Sequence, residues 1–168
     1  VAPERAREDW PWRPKSPYGA SKSAFELYVE AWTQLFGIAS VSLRYSNVYG
    51  PRQSPAGEAG VVAIFSDRLL RGAPVVLYGR ELAGDDGCER DYVHVEDVVA
   101  ANLLALGTDL RGAYNVATGV AHDTREVLAA VAAALEVTPV VEEAPPRAGD
   151  LWRCVLDPTR LQAQGWRA

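Results

Sequence analysis

The hydrophobic pattern changes period along the chain, and each change marks an element. From Pro17 to Phe36, the apolar residues Phe25, Tyr28, Val29, Trp32, Leu35 and Phe36 recur at helical spacing, and Gly37 follows as a stop. Ser40 to Tyr45 alternates, which predicts a strand, and Ser46 to Gln53 leaves its carboxyl end as a loop. A second helix is predicted from about Gly60 to Arg71, with Val61, Ile64, Phe65 and Leu69 inward, and Pro74 to Tyr78 reads as a short apolar strand. Residues 79–89 are rich in Gly and Asp and read as a loop. Arg90 to Val95 predicts a strand, Glu96 to Leu106 a helix and Ala113 to Val116 a strand. Asp123-Thr124-Arg125-Glu126 has the form of a capping box and opens an Ala-rich helix to about Leu135. Val140 to Glu142 predicts an edge strand and Leu151 to Leu156 a last strand. Asp157-Pro158 provides an N-cap and a first-turn proline for a final helix that Gly165 ends. Before all this, residues 1–17 carry Pro3, Pro11, Pro14 and Pro17 and no period, and read as extended surface chain.

Alternating strands and helices predict an α/β fold with a largely parallel sheet. At 168 residues the chain is long enough for one medium domain with a real core. Its net charge of -5 argues against a nucleic-acid or anionic-membrane partner, because neither is drawn to an acidic surface. No apolar run is long enough to span a bilayer and Val1 opens no signal-peptide pattern, so a cytoplasmic location is expected. Cys88 and Cys154 match no metal or redox spacing and read as free thiols. With only His94 and His122, a multi-histidine metal site is not expected. A strand followed by a Gly-rich turn and a helix, the phosphate-binding fingerprint of a dinucleotide fold, does not occur.

The candidate chemistry starts in Ser16-Pro17-Tyr18-Gly19-Ala20-Ser21-Lys22. Tyr18 and Lys22 stand four apart at the start of the first helix, on one face and roughly 6 Å apart along the axis. A free tyrosine is a poor base at neutral pH, and a neighbouring ammonium favours its phenolate. Such a pair can take a proton from a hydroxyl, or return one to a ketone, while hydride moves to or from a nicotinamide. By itself the spacing is a weak signal, and a solvated lysine beside a half-buried tyrosine is the plainer reading.

Five motifs in order change that reading. They are the Tyr18–Lys22 segment, Arg44-Tyr45-Ser46-Asn47-Val48-Tyr49-Gly50-Pro51-Arg52-Gln53, Arg90-Asp91-Tyr92-Val93-His94-Val95-Glu96-Asp97-Val98, Asn115-Val116-Ala117-Thr118-Gly119 and Pro146-Arg147-Ala148-Gly149-Asp150. Together they resemble the extended short-chain dehydrogenase/reductase family of sugar-nucleotide enzymes, and within it are most similar to the UDP-glucose 4-epimerases. The resemblance covers essentially the whole chain but only part of the family's length. It implies the C-terminal part of a Rossmann-like doubly wound sheet plus a smaller α/β substrate-binding domain. Residues 1–58 would be the remnant of the NAD-binding domain and residues 59–168 mostly substrate domain, with 91–116 contributing to the NAD-binding side. The implied parent is a homodimer that inverts C4 of a UDP-linked hexose with NAD, and the isolated fragment is expected to be inactive. A UDP-glucuronate epimerase or decarboxylase, a dTDP-glucose 4,6-dehydratase and a truncated non-catalytic sugar-nucleotide-binding chain are the alternatives. The stretch Gly57–Phe65, with the Asn47–Gln53 loop, favours the epimerase.

The resemblance also implies roles. Tyr18 is the acid/base, and Lys22 lowers its pKa and holds the nicotinamide ribose. Tyr45 and Ser46 border the nicotinamide. Asn47 contacts the sugar nucleotide, for which an amide has both a donor and an acceptor; a turn-forming Asn is the plainer alternative. Gly60 and Val61 line the sugar pocket, and Val76 and Tyr78 flank the uracil unless they are ordinary strand residues. Arg90 and Arg147 clamp the diphosphate, since guanidinium pairs bidentately with phosphate, with Tyr92 close by and Asp150 on the uridine ribose. Surface ion pairing, such as Arg90 with Glu89 or Asp91, is the competing reading. The residue 79–89 loop is longer than the family's usual short turn at that place.

Overall fold

A computed structural model of the chain describes residues 4–57 and 60–168. The proposed boundary at 58/59, Glu58 and Ala59 of the Gly57–Phe65 stretch, and Val1 and Pro3 of the N-terminal segment lie outside the described residues. In chain order the elements are α1 (Pro17–Phe36), β1 (Val41–Tyr45), β2 (Asn47–Tyr49), α2 (Val61–Leu70), β3 (Val75–Tyr78), β4 (Glu89–Arg90), β5 (Tyr92–His94), α3 (Val95–Leu106), β6 (Gly112–Val116), α4 (Thr124–Ala134), β7 (Val141–Ala144), β8 (Arg153–Cys154) and α5 (Thr159–Gln162). The fold is α/β, and among the described residues the strand pairs are all parallel: β1 with β6, β2 with β5, β3 with β7 and β4 with β8. Among the described residues no helix is long and apolar enough to cross a membrane.

Local sequence explains the helix ends. The Ser16 side chain accepts the Gly19 N–H at 3.1 Å, and Pro17 fills the first turn, where its missing N–H costs nothing. Gly37 ends α1 in the left-handed region at φ 66°, and its N–H reaches Thr33 O. Asp123 and Glu126 form the reciprocal capping box at α4 that their spacing predicts. His94 accepts the Glu96 N–H through Nδ1 at the start of α3.

Two hydrophobic clusters hold the elements together. One gathers Val93, Val98, Ala101, Tyr114, Val116, Leu161 and Trp166, with Val41, Leu43 and Val48 against it. The other gathers Phe65, Leu69, Val75, Leu77, Val127, Leu128 and Ala132. Burying one such aliphatic or aromatic side chain is worth about 1.5–3 kcal/mol. Adjacent residues of β5 serve different clusters, because strand side chains alternate in direction. Val93 is buried in the first cluster, and Tyr92 packs on the second.

Asp91, between β4 and β5, explains why that predicted strand is broken in two. It is fully buried, and its carboxylate accepts from Thr118 N and Oγ1, Gly119 N and Leu156 N. Buried charge persists only when hydrogen bonded in this way. Asn115 plays a second linking part: its Nδ2 donates to Ala6 O and Asp157 O, and its backbone N–H donates to Glu8 Oε1.

Several expectations change in detail. Part of the predicted loop after Tyr45 is a strand, β2, because Asn47–Tyr49 finds a partner in β5. The predicted last strand shortens to β8 plus a parallel bridge between Leu156 and Ala6. That bridge ties the N-terminal segment to the body, as does Arg44, which pairs with Glu26 at 2.8 Å and donates to Glu8 O. The stripe on α1 has the predicted spacing but no cover: α1 buries no residue, and Tyr28, Trp32 and Phe36 are all more than half exposed.

Candidate functional site

A cleft of about 510 Å³ lies between α2, β3, the β4–β5 segment and the loop before β8. Asn47 lies at the start of β2, directly opposite Tyr92 of β5. Its Nδ2 donates to Asp91 O at 3.0 Å, which fixes the amide and leaves its oxygen free to accept. Tyr92 is half-buried, and burial pushes its phenol up to about 12. Gly60 caps α2 with its backbone alone; a Cβ there would meet the Gln53 amide at 2.7 Å.

Arg90 is held by backbone on both sides. It forms an antiparallel bridge to His122, with N–O distances of 2.8 and 2.9 Å, and stands opposite Cys154 of β8. Its Nη1 donates to Glu89 O, and no carboxylate of the described residues lies within 4.0 Å of its guanidinium. The expected competitor Glu89 pairs instead with Arg153 and Arg80, and Asp91 turns inward.

The long 79–89 loop is ordered by Asp85. Its carboxylate accepts the N–H groups of Arg80, Glu81, Leu82 and Gly87, and these bonds hold it well below the usual carboxylate range. Arg125 of α4 clasps the same loop through Gly84 O and Asp85 O. The extra length therefore forms a fixed turn beside β4.

On the other wall, Arg147 lies over the Tyr78 ring, and its Nε is 3.1 Å from Asp150. Val76 completes this part of the wall. The nine residues expected at a substrate, Asn47, Gly60, Val61, Val76, Tyr78, Arg90, Tyr92, Arg147 and Asp150, thus line one cleft. Among the described residues its charged lining is three guanidiniums, Arg68, Arg90 and Arg147, against the carboxylate of Asp150, a net of +2 in a chain whose total is -5. Such a concave patch of one sign draws an anion.

Tyr18, Lys22, Tyr45 and Ser46 are not part of that lining. Tyr18 and Lys22 are exposed on α1, with Lys22 Nζ 5.1 Å from the centre of the Tyr18 ring. Tyr45 Oη meets the Asn102 side chain. Ser46 Oγ is buried and has no hydrogen-bond partner among the described residues. A buried hydroxyl without a partner costs free energy, so these residues fit a further polar group laid against the end of β1.

Sequence reasoning missed Arg68, Phe65, Cys88 and Thr124, which also line the cleft. A signal for Arg68 was present: Val61, Ile64, Phe65 and Arg68 follow the i, i+3, i+4, i+7 spacing of one helix face. Cys88 is buried and both cysteines are free. Cys154 is partly buried, and burial pushes its thiol up.

Comparison with known proteins gives the family. A sequence model described as the NAD dependent epimerase/dehydratase family matches residues 2–117. A UDP-glucose 4-epimerase of Mycolicibacterium smegmatis is 45% identical over 162 residues, covering 95% of this chain and 50% of that protein. The crystal structure of the Thermus thermophilus UDP-glucose 4-epimerase in complex with NAD is similar at 60% identity and TM-score 0.95, covering 99% of this chain and 53% of that one. The Thermotoga maritima UDP-glucose 4-epimerase with UDP-glucose is similar at 39% identity and TM-score 0.87, covering 99% and 53%. The chain spans about half the length of the curated relatives it matches.

Proposed function

Because the chain belongs to the NAD dependent epimerase/dehydratase family, we infer that it is part of a cytoplasmic enzyme inverting C4 of a UDP-linked hexose. The observation that carries this is that all nine residues named for a nucleotide sugar line one cleft, whose described residues carry a net charge of +2. Arg90 and Arg147 hold the diphosphate, because their planar forks match phosphate oxygens. Asp150 takes the ribose hydroxyls, and Val76 and Tyr78 flank the base. Asn47, Gly60, Val61 and Tyr92 surround the hexose, with the Asn47 oxygen available to a sugar hydroxyl.

Tyr18 is the acid/base, with the Lys22 ammonium 5.1 Å from the centre of its ring. Tyr18 Oη takes the proton of the 4-hydroxyl and returns it to the 4-ketone once the sugar has turned over. When bound, NAD supplies a reversible hydride acceptor. Lys22, Tyr45 and the unpaired Ser46 hydroxyl are the groups of this chain that would hold it. Residues 1–58 with 91–116 form the side toward NAD, and most of 59–168 the side toward substrate. The grip on the diphosphate retains the ketone while the sugar rotates.

Incubating the full-length protein with UDP-galactose and scoring UDP-glucose tests this reading. Conversion that needs Tyr18 supports it. Absence of conversion, with a 4-keto-6-deoxy product formed from dTDP-glucose, would replace it with the dehydratase.

A further inference from the structure

We propose that Arg68 determines which nucleobase the cleft accepts, selecting a carbonyl over an amine at the ring position farthest from the ribose. This rests on the nucleotide-sugar reading above.

Helix α2 is capped by Gly60, beside Gln53, whose Nε2 donates to Val48 O in the strand that carries Asn47. Arg68 lies two turns further along the same face, roughly 12 Å from the Asn47 end. There its Nη1 is 3.4 Å from Pro74 O, just before β3. A nucleotide sugar with its hexose at Asn47 and its diphosphate at Arg90 directs its base toward this end. The lining suits a flat ring: Phe65 and Val75, both buried, line the same cleft as Arg68.

Arg68 is exposed, and no carboxylate of the described residues lies within 4.0 Å of it; its neighbour Asp67 pairs with Arg71 instead. Among the described residues its one side-chain hydrogen bond, a long one to Pro74 O, leaves most of its five N–H donors available. A guanidinium cannot accept a hydrogen bond. It therefore rewards the 4-carbonyl of uracil and opposes the 4-amine of cytosine, whose N–H groups would face its own. Sites that hydrogen bond one group discriminate strongly against an analogue that lacks it.

UDP and CDP separate this effect from every other contact, since they share ribose, diphosphate and ring size. Calorimetric titration of both into the wild-type protein should show UDP tighter by about 10-fold or more, the equivalent of one charge-assisted hydrogen bond. Arg68→Gln, whose amide can also accept, should bring the two affinities within about 3-fold, mostly by weakening UDP. Arg68→Ala should also lose discrimination, and a general folding defect would instead weaken both ligands alike. An unchanged UDP-to-CDP ratio in both variants overturns the role of Arg68 and leaves the nucleotide reading intact. Failure of the wild type to bind either nucleotide overturns both.

Discussion

The guanidinium of Arg147 lies 4.6 Å from the centre of the Tyr78 ring. That contact joins the Pro- and Gly-bounded loop after β7 to the end of β3. It gives the cleft a wall that is aromatic on one side and cationic on the other. The Asp150 carboxylate, 3.1 Å from Arg147 Nε, orients the fork further. The loop is thus held in place before any ligand arrives, which lowers the ordering cost of binding.

Tyr78 should matter through its ring, not its hydroxyl. Tyr78→Phe is expected to bind UDP as the wild type does. Tyr78→Leu should weaken it by about 0.5–2 kcal/mol, the range of a cation–π contact. Calorimetry on the two variants decides, and equal loss in both would assign the effect to the hydroxyl.

Asp91 should be a stability residue. Asp91→Ala leaves three backbone N–H groups and the Thr118 hydroxyl without an acceptor in the interior. The expected loss is about 3–5 kcal/mol, with Asp91→Asn intermediate because one oxygen remains. Urea unfolding midpoints measure this; a change within about 0.5 kcal/mol for the alanine variant would show that the donors find other partners.

Tyr92 should give stability an alkaline limb. Its folded value, about 12, lies above the ordinary 10.0, because burial disfavours the phenolate. The folded state therefore binds this proton more tightly. Stability is fully present below about pH 10 and falls as pH rises toward about 12. The ring is partly open to solvent, so the effect is on the order of 1 kcal/mol. Tyr92→Phe should flatten this limb in a pH series of denaturant midpoints; an unaltered slope would assign the limb to other groups.

Much of this was legible in local sequence, and the failures have physical causes. The caps at Ser16, Asp123 and Gly37 act within three or four residues of themselves, so their elements fall where the pattern puts them. The break at Asp91 does not show locally, because its partners Thr118, Gly119 and Leu156 are distant in sequence. The Ala6–Leu156 bridge is equally nonlocal. Periodicity identified the apolar face of α1, but a period cannot say what covers a face. Arg68 escaped because a charge on an amphipathic helix reads first as solvated surface.

That open face on α1 should be sticky. Phe25, Tyr28, Trp32, Leu35 and Phe36 expose most of their surface, and adjacent exposed apolar groups of this size favour association. Sedimentation velocity on this chain should show species larger than a monomer that shrink with Trp32→Glu. A monodisperse wild-type monomer would refute this.

The most direct test of the account is a double-mutant cycle on the two arginines with UDP as ligand. Arg90 and Arg147 reach the cleft from different strands and loops, yet one diphosphate should engage both. Each alanine substitution should weaken UDP by about 1.5–3 kcal/mol, and Arg147→Lys should recover only part, because an ammonium lacks the two-point contact. The double mutant should depart from the sum of the single changes if both grip one group. Unchanged UDP affinity in both single mutants and in the double mutant would contradict the cleft as a nucleotide-diphosphate site.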